Sequence, residues 1–483
     1  MNMTRLKNFI NQLIIILLFV GFVLTIRFQP ISQTFEFDYD EGFNLIKTFL
    51  YSQGFSLYTQ IWNDQPPLFT VLLSHWLNLF GYSIFAARLL ILLFSALLIY
   101  CFYNLISSEL GKIPALTATI LLFTSWLYIR LSISVMIGLP SLSLAMLSIY
   151  LLHLYKQNHR RFYIILSGIT FALSLQTKLF TIFLVPLIFF YIIDFNIKTI
   201  ASRKISKKIL INTALWLIPL GLIYILIGVF FQQFWNHDQL ITTHLNQPQN
   251  LTLENFNNRE YLSSMLSQDY DYIFLACIGI GAIFLKRYRN GIFPFAWLIT
   301  AVLILLNHQP LWYHYYPLIA IPICWLAAYG VAFLYDSFFK KKLINTKQLI
   351  IPSLLVVILI GLVILTPPNP KGSVPRNMEL MQLVLKYKDS TNWIFTDRPI
   401  YAFYARLRVP PEIAVMSYKR LNSGELTSQE ILSVLQKYRP EQIVLSRWTY
   451  QLKSDNKFLA YINANYSKTY TNSIGSEEHY IWK

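Results

Sequence analysis

The chain has 483 residues, of which 55% are hydrophobic and only 13% charged. A soluble domain carries about 25% charged residues, so the composition excludes a soluble globular enzyme and a disordered chain alike. Lys and Arg number 40 against 23 for Asp and Glu, a formal charge of +17. Where these charges fall points to a membrane rather than to nucleic acid.

An α-helix needs about 20 apolar residues to cross the hydrocarbon layer. In chain order, runs that meet or approach this length lie at 9–26, 86–106, 113–130, 137–155, 162–177, 179–195, 209–231, 272–285, 291–306, 313–334 and 349–366, which predicts about 11 transmembrane helices. The first run follows Arg5 and Lys7 and precedes Arg27-Phe28-Gln29-Pro30, with no small-residue cleavage site, so it reads as a retained anchor. The stretch 66–80 is apolar but short and opens with Pro66-Pro67, which predicts an interfacial helix.

With the N-terminus cytoplasmic and every run crossing, Lys and Arg number 18 in the inside segments and 6 in the outside ones before the tail. This split follows the positive-inside rule. It puts the first large loop, about 27–85, and the tail from Pro367 onward on the outer face of the plasma (inner) membrane. The expected units are a transmembrane domain over 1–366 and an extracytoplasmic domain over 369–483, joined by Pro367-Pro368-Asn369-Pro370. In the tail, Trp393–Thr396 and Gln442–Leu445 read as strands. Thr427-Ser428-Gln429-Glu430 is a capping box that opens a helix through about Tyr438, and 376–388 and 455–464 have helical spacing. The fold class is therefore a polytopic α-helical membrane protein with a small α/β domain. Cys101, Cys277 and Cys324 lie in apolar runs without spaced partners and indicate neither a disulfide framework nor a zinc site.

Acidic residues are scarce, so their placement is informative. The first outer loop holds Glu36, Asp38, Asp40, Glu41 and Asp64. After Gly42, the residues Phe43, Ile46, Phe49 and Leu50 fall on one face of a helix lying along the membrane. Two readings stand open for its start. Asp40 takes a proton from an acceptor hydroxyl, since a carboxylate near lipid has a raised pKa; or Asp40 caps the helix and Glu41 complements its dipole. Likewise Asp64 and Gln65 either touch a sugar or open the next helix. Arg88, Arg130 and Lys178 break the charge rule, each at the edge of an apolar run. They either snorkel to headgroups or neutralise a departing phosphate. His308, Tyr313 and His314 lie in an outer loop rich in rings, which serves either sugar binding or an interfacial aromatic belt. Their spacing is not a metal signature.

Asp40-Glu41-Gly42, the downstream Gln65-Pro66-Pro67-Leu68, the Arg88 within Ala86-Ala87-Arg88-Leu89-Leu90, and many spans with an outer C-terminal domain resemble the GT-C superfamily. The match is to its family 39 glycosyltransferases, which are related to protein O-mannosyltransferases and to the bacterial aminoarabinose transferase for lipid A. The resemblance covers most of 10–335. It implies inverting transfer of a sugar from a polyprenyl-phosphate donor to a glycan, lipid or protein acceptor on the outer face. It implies Asp40 as base with Glu41 beside it, and Arg88 and Lys178 as phosphate or lipid contacts. One departure is clear. Many members of the family carry a second acidic residue at the outer start of the fourth span, whereas Ser134–Pro140 has no carboxylate here. A requirement for a divalent metal is left open. The alternatives are a carrier or flippase for a lipid-linked sugar, for which matching halves are absent, and a non-catalytic cell-envelope assembly protein.

Overall fold

The structure is a computed structural model, which describes residues 16–17, 19–21, 31, 34–193, 207–236, 238–242, 258–308, 311–338 and 378–483. The expected span at 349–366, the linker 367–370 and most of the first span lie outside the described residues.

Every apolar run expected between 86 and 334 is helical over its described residues. The elements before the tail are α1 (Tyr39–Ser52), α2 (Leu68–Phe80), α3 (Ile84–Leu110), α4 (Lys112–Thr124), α5 (Trp126–Ser132), α6 (Gly138–Asn158), α7 (Arg161–Thr177), α8 (Leu184–Ile193), α9 (Lys207–Phe230), α10 (Asn258–Leu266), α11 (Tyr270–Lys286), α12 (Ile292–Asn307) and α13 (Pro317–Phe338). Among the described residues, 5 helices are long and apolar enough to cross a membrane, or 6 if α4 and α5 form one broken span. The expected run at 113–130 is this broken pair, bent by 74° at Ser125. The break is held from outside: the Ser125 hydroxyl donates to Asp269 at 2.8 Å, and Tyr316 donates to the same carboxylate.

Helices that cannot gain from water exclusion against each other pack through small residues and polar contacts. Ser148 on α6 donates to the Ser167 carbonyl on α7 at 2.9 Å, and Ser174 on α7 donates to the Ser141 carbonyl on α6 at 2.8 Å. Gly279 on α11 and Gly330 on α13 let their backbones meet. A Cβ on Gly279 would lie 1.9 Å from the Leu326 oxygen, and one on Gly330 2.3 Å from the Leu275 oxygen.

The tail comprises α14 (Glu379–Lys386), β1 (Ile394–Thr396), α15 (Ile400–Ala405), α16 (Tyr418–Asn422), α17 (Ser428–Tyr438), β2 (Gln442–Leu445), α18 (Thr449–Lys453), α19 (Asn456–Asn465), β3 (Tyr466–Thr471) and β4 (Glu478–Trp482). Its sheet has the order β1-β2-β4-β3, with β1 and β2 parallel and the other pairs antiparallel. The capping box at Thr427 and Glu430 is present. The closing hairpin β3–β4 was not expected. Its signal lies in the sequence, as Asn472-Ser473-Ile474-Gly475 between two runs that each carry aromatic residues.

The tail sits on the acidic loop. Its Ile400, Tyr401 and Phe403 belong to the same buried cluster as the membrane helices. Arg398 Nε donates to Glu36 Oε2 at 2.7 Å, the Tyr404 hydroxyl donates to the Phe35 carbonyl at 3.1 Å, and the Tyr404 ring stacks on Phe35. Gly42 makes this approach feasible, because a Cβ there would lie 2.7 Å from Glu36 Oε1 and 3.0 Å from the Ile400 nitrogen.

Candidate functional site

The α1 start decides what each acid of the loop can do. Asp38 is the N-cap, with extended backbone, and its Oδ1 accepts the Asp40 N–H at 2.9 Å. Its Oδ2 accepts the Tyr313 hydroxyl. The expected capping role therefore belongs to Asp38 and not to Asp40. The Asp40 carboxylate accepts no hydrogen bond from the described residues and lines a cavity of about 610 Å³.

Glu41 lies one residue on and points the other way. It is 0% exposed, and Arg88, also 0% exposed, grips it with Nε to Oε1 at 2.9 Å and Nη2 to Oε2 at 2.8 Å. The backbone N–H groups of Phe37 and Val135 complete its shell at 2.8 and 3.1 Å. Arg88 Nη1 donates to the carbonyls of Ile31 and Thr34. Two expectations are corrected by this geometry. Glu41 does not sit beside Asp40 as a second group facing the reactants, and Arg88 does not face a phosphate. Both are spent on holding the loop to α3, because a buried charge is tolerable only when paired and hydrogen-bonded. Arg130 is also absent from the cavity wall: Nη2 donates to the Phe37 carbonyl at 2.5 Å and the guanidinium lies 4.4 Å from the Tyr313 ring centre.

The other expected residues converge on the cavity. Asp64 and Gln65 line it. Neither Asp64 nor Asn63 caps α2, whose N-cap position is Pro67 without a side-chain bond. Asn63 instead accepts from Lys47 Nζ at 2.9 Å and donates to the Gln65 carbonyl at 2.7 Å, which shapes the loop. His308, Tyr313 and His314 line the cavity too, and Lys178 enters it with Nζ about 5 Å from the rings of Phe180 and Tyr315. The segment without a carboxylate, Ser134–Pro140, is tied to α1 by Asn44, which donates to the Val135 carbonyl at 2.9 Å, and contributes Met136 and Ile137 to the wall.

Two cavity residues gave no signal in the sequence. Lys419 and Arg447 reach the wall from the tail. Nothing local separates them from the other basic residues there; only the docking of the tail does. The cavity thus has three carboxylates, Asp38, Asp40 and Asp64, facing Lys47, Lys178, Lys419 and Arg447. Its lining also includes apolar side chains, among them Ile182, Phe183, Ile304 and Leu305.

Low polarity shifts the titration of these groups. Burial, with Asp38 nearby, raises Asp40 to about 6, although Arg447 and Lys178 oppose the shift. Burial lowers Lys178 to about 8. Burial also pushes Lys47, Lys419 and Arg447 down from their ordinary values. A carboxylate of this kind, open to a cavity and half-titrated near pH 6, is chemically suited to accept a proton. Among the described residues, no three His, Cys, Asp or Glu side chains are grouped to hold a metal ion.

Comparison with known proteins agrees with this architecture. Residues 64–225 match the family model described as dolichyl-phosphate-mannose-protein mannosyltransferase. No curated protein matches the chain. Among solved structures, ArnT from Cupriavidus metallidurans in the apo state superposes with a TM-score of 0.65 at 13% identity, covering 96% of this chain and 97% of that one. ArnT bound to undecaprenyl phosphate gives 0.61 at 12% identity, with the same coverage. The Archaeoglobus fulgidus oligosaccharyltransferase in complex with Zn and sulfate gives 0.53 at 10% identity, covering 95% of this chain and 72% of that one. The expected resemblance is borne out: residues 64–225 match the mannosyltransferase family model, and nearly the whole chain shares the fold of ArnT and of the archaeal oligosaccharyltransferase.

Proposed function

We propose that this integral membrane protein transfers a sugar, with inversion, from a polyprenyl-phosphate carrier to an acceptor hydroxyl at the extracytoplasmic face of the inner membrane. About eleven spans and a tail outside the membrane complete this reading. The observation that carries it is the Asp40 carboxylate, which lines a cavity walled by both charged and apolar side chains. An amphiphile with a charged head and an isoprenoid tail matches such a cavity. The binding of undecaprenyl phosphate by ArnT, which has the same fold, supports the choice of carrier.

In this mechanism the acceptor hydroxyl gives its proton to Asp40, and its oxygen attacks the anomeric carbon from the face opposite the phosphate. The bond between that carbon and the phosphate oxygen breaks, and its electron pair leaves with the polyprenyl phosphate. Lys178 faces the growing negative charge of the leaving group, which is where a fixed cation lowers the barrier most. Asp64, Gln65, His308, Tyr313 and His314 offer donors and acceptors for sugar or acceptor hydroxyls. The test is Asp40→Asn in the purified protein, supplied with a polyprenyl-phosphate sugar. Loss of transfer with normal membrane insertion and folding supports the role of Asp40, and unchanged turnover removes it.

A further inference from the structure

The two tail cations at the cavity are held too firmly to be chance neighbours. The Asp397 carboxylate, itself fully buried, accepts three successive backbone N–H groups, from Ser446, Arg447 and Trp448, at 2.8, 3.0 and 2.6 Å. This fixes the turn after β2 and lays the Arg447 guanidinium 4.2 Å from the Tyr39 ring centre, next to Asp40 in α1. Arg447 Nη1 is buried and has no hydrogen-bond partner among the described residues. Lys419 sits on α16, whose start is capped by Ser417 and whose Arg420 donates to the carbonyls of Glu412 and Val415. Arg420 also stacks on Trp62 of the acidic loop at 4.5 Å.

The same cavity is lined by Lys178, together with Ile182 and Phe183. Lys419 is close enough to Lys178 to disfavour its charge. Asp40 and Asp64 line the same cavity and favour the charged forms of Lys178 and Lys419. Arg447 keeps a buried N–H with no partner among the described residues, and a guanidinium with an unused N–H suits a phosphate geometrically.

We propose that Lys419 and Arg447, carried by the tail, complete with Lys178 a phosphate site for the lipid carrier, so that carrier binding requires the docked tail. This rests on the polyprenyl-phosphate reading above and assigns the tail a part in it. Phosphate held by Lys178 alone would leave the tail free to vary. Held by Lys178 and the tail together, the phosphate couples carrier occupancy to the contact between Gly42 and Ile400.

The test uses the full-length protein in detergent, titrated with farnesyl phosphate and, separately, with farnesol, and followed by tryptophan fluorescence. The site predicts that the unmodified protein prefers farnesyl phosphate. Lys419→Gln and Arg447→Gln should each weaken it by about tenfold or more, the size of one charge-assisted hydrogen bond, and leave farnesol affinity unchanged. Lys419→Arg should retain binding within a few-fold. Lys437→Gln, at an exposed tail lysine, serves as a control and should change nothing. Farnesyl phosphate affinity untouched in both tail variants but lost in Lys178→Gln overturns the tail site while the carrier reading stands. Equal loss of farnesol and farnesyl phosphate overturns it as well, since that marks a general collapse of the cavity. A protein with no preference for the phosphate overturns the carrier reading, and the tail site with it.

Discussion

Glu41 and Arg88, far apart in the chain, meet as a two-pronged ion pair from which solvent is excluded. Leaving either charge buried without the other is costly, about 3–5 kcal/mol. Arg88→Ala and Glu41→Gln should therefore lower the thermal unfolding midpoint and the yield of folded protein to similar extents. A phosphate-binding Arg88 would instead raise KM for the lipid donor at unchanged stability, so measuring both quantities on Arg88→Ala separates the two roles.

Asp40 has the opposite signature. Its carboxyl is raised from 3.8 to about 6, first by burial. The folded protein then binds this proton more tightly than the unfolded chain does. The stabilisation is fully present below about pH 4 and lost as pH rises through about 6. Asp40→Asn should unfold at a higher temperature than the unmodified protein at about pH 7.5, with the gap closing near pH 4. Transfer by the unmodified enzyme should rise with ionisation of the base and reach half its plateau near pH 6. In Asp40→Asn it should fall by about 10²–10⁴-fold, the usual worth of a general base.

Gly42 tests the docking of the tail. A methyl group there meets Glu36 Oε1 and the Ile400 backbone at distances that demand movement. Gly42→Ala should cost about 1–3 kcal/mol as an overpacked contact. Limited proteolysis of the region after 378 should become faster, whereas cleavage within the membrane helices should not change.

Asp397 acts on the cavity only through the turn it holds. Asp397→Asn replaces one acceptor oxygen by a donor, so at least one of the three N–H groups loses its partner. If Arg447 binds phosphate, this change should weaken farnesyl phosphate by less than Arg447→Gln does, without altering the apparent pKa of transfer. A shift in that pKa larger than the change in affinity would show that the turn serves Asp40 rather than the ligand.

Local patterns made much of the fold legible. The apolar runs became helices because a chain in lipid must satisfy its backbone within each segment. The Thr427 capping box and the amphipathic start of α1 need only residues within a turn of each other, and they form where spacing put them. The cap itself moved from Asp40 to Asp38, since acids two residues apart at a helix start look equivalent until the extended backbone selects one.

What the sequence determined alone was the class of molecule: a helical membrane chain with its acids gathered in one loop and a mixed domain at its end. Three-dimensional packing decided the work of each charge. Asp40 and Glu41 are neighbours, yet α1 turns one toward the cavity and the other toward Arg88, because successive helical positions lie about 100° apart around the axis. Arg88 and Lys178 looked alike as basic residues at run edges; one, on α3, found the Glu41 carboxylate on α1 and the other lines the cavity. Lys419 and Arg447 lie more than 350 residues from Asp40 and share no pattern with it. Charges interact through space, whereas caps and periodicity act along the chain, so the site emerged only when the tail closed over the acidic helix.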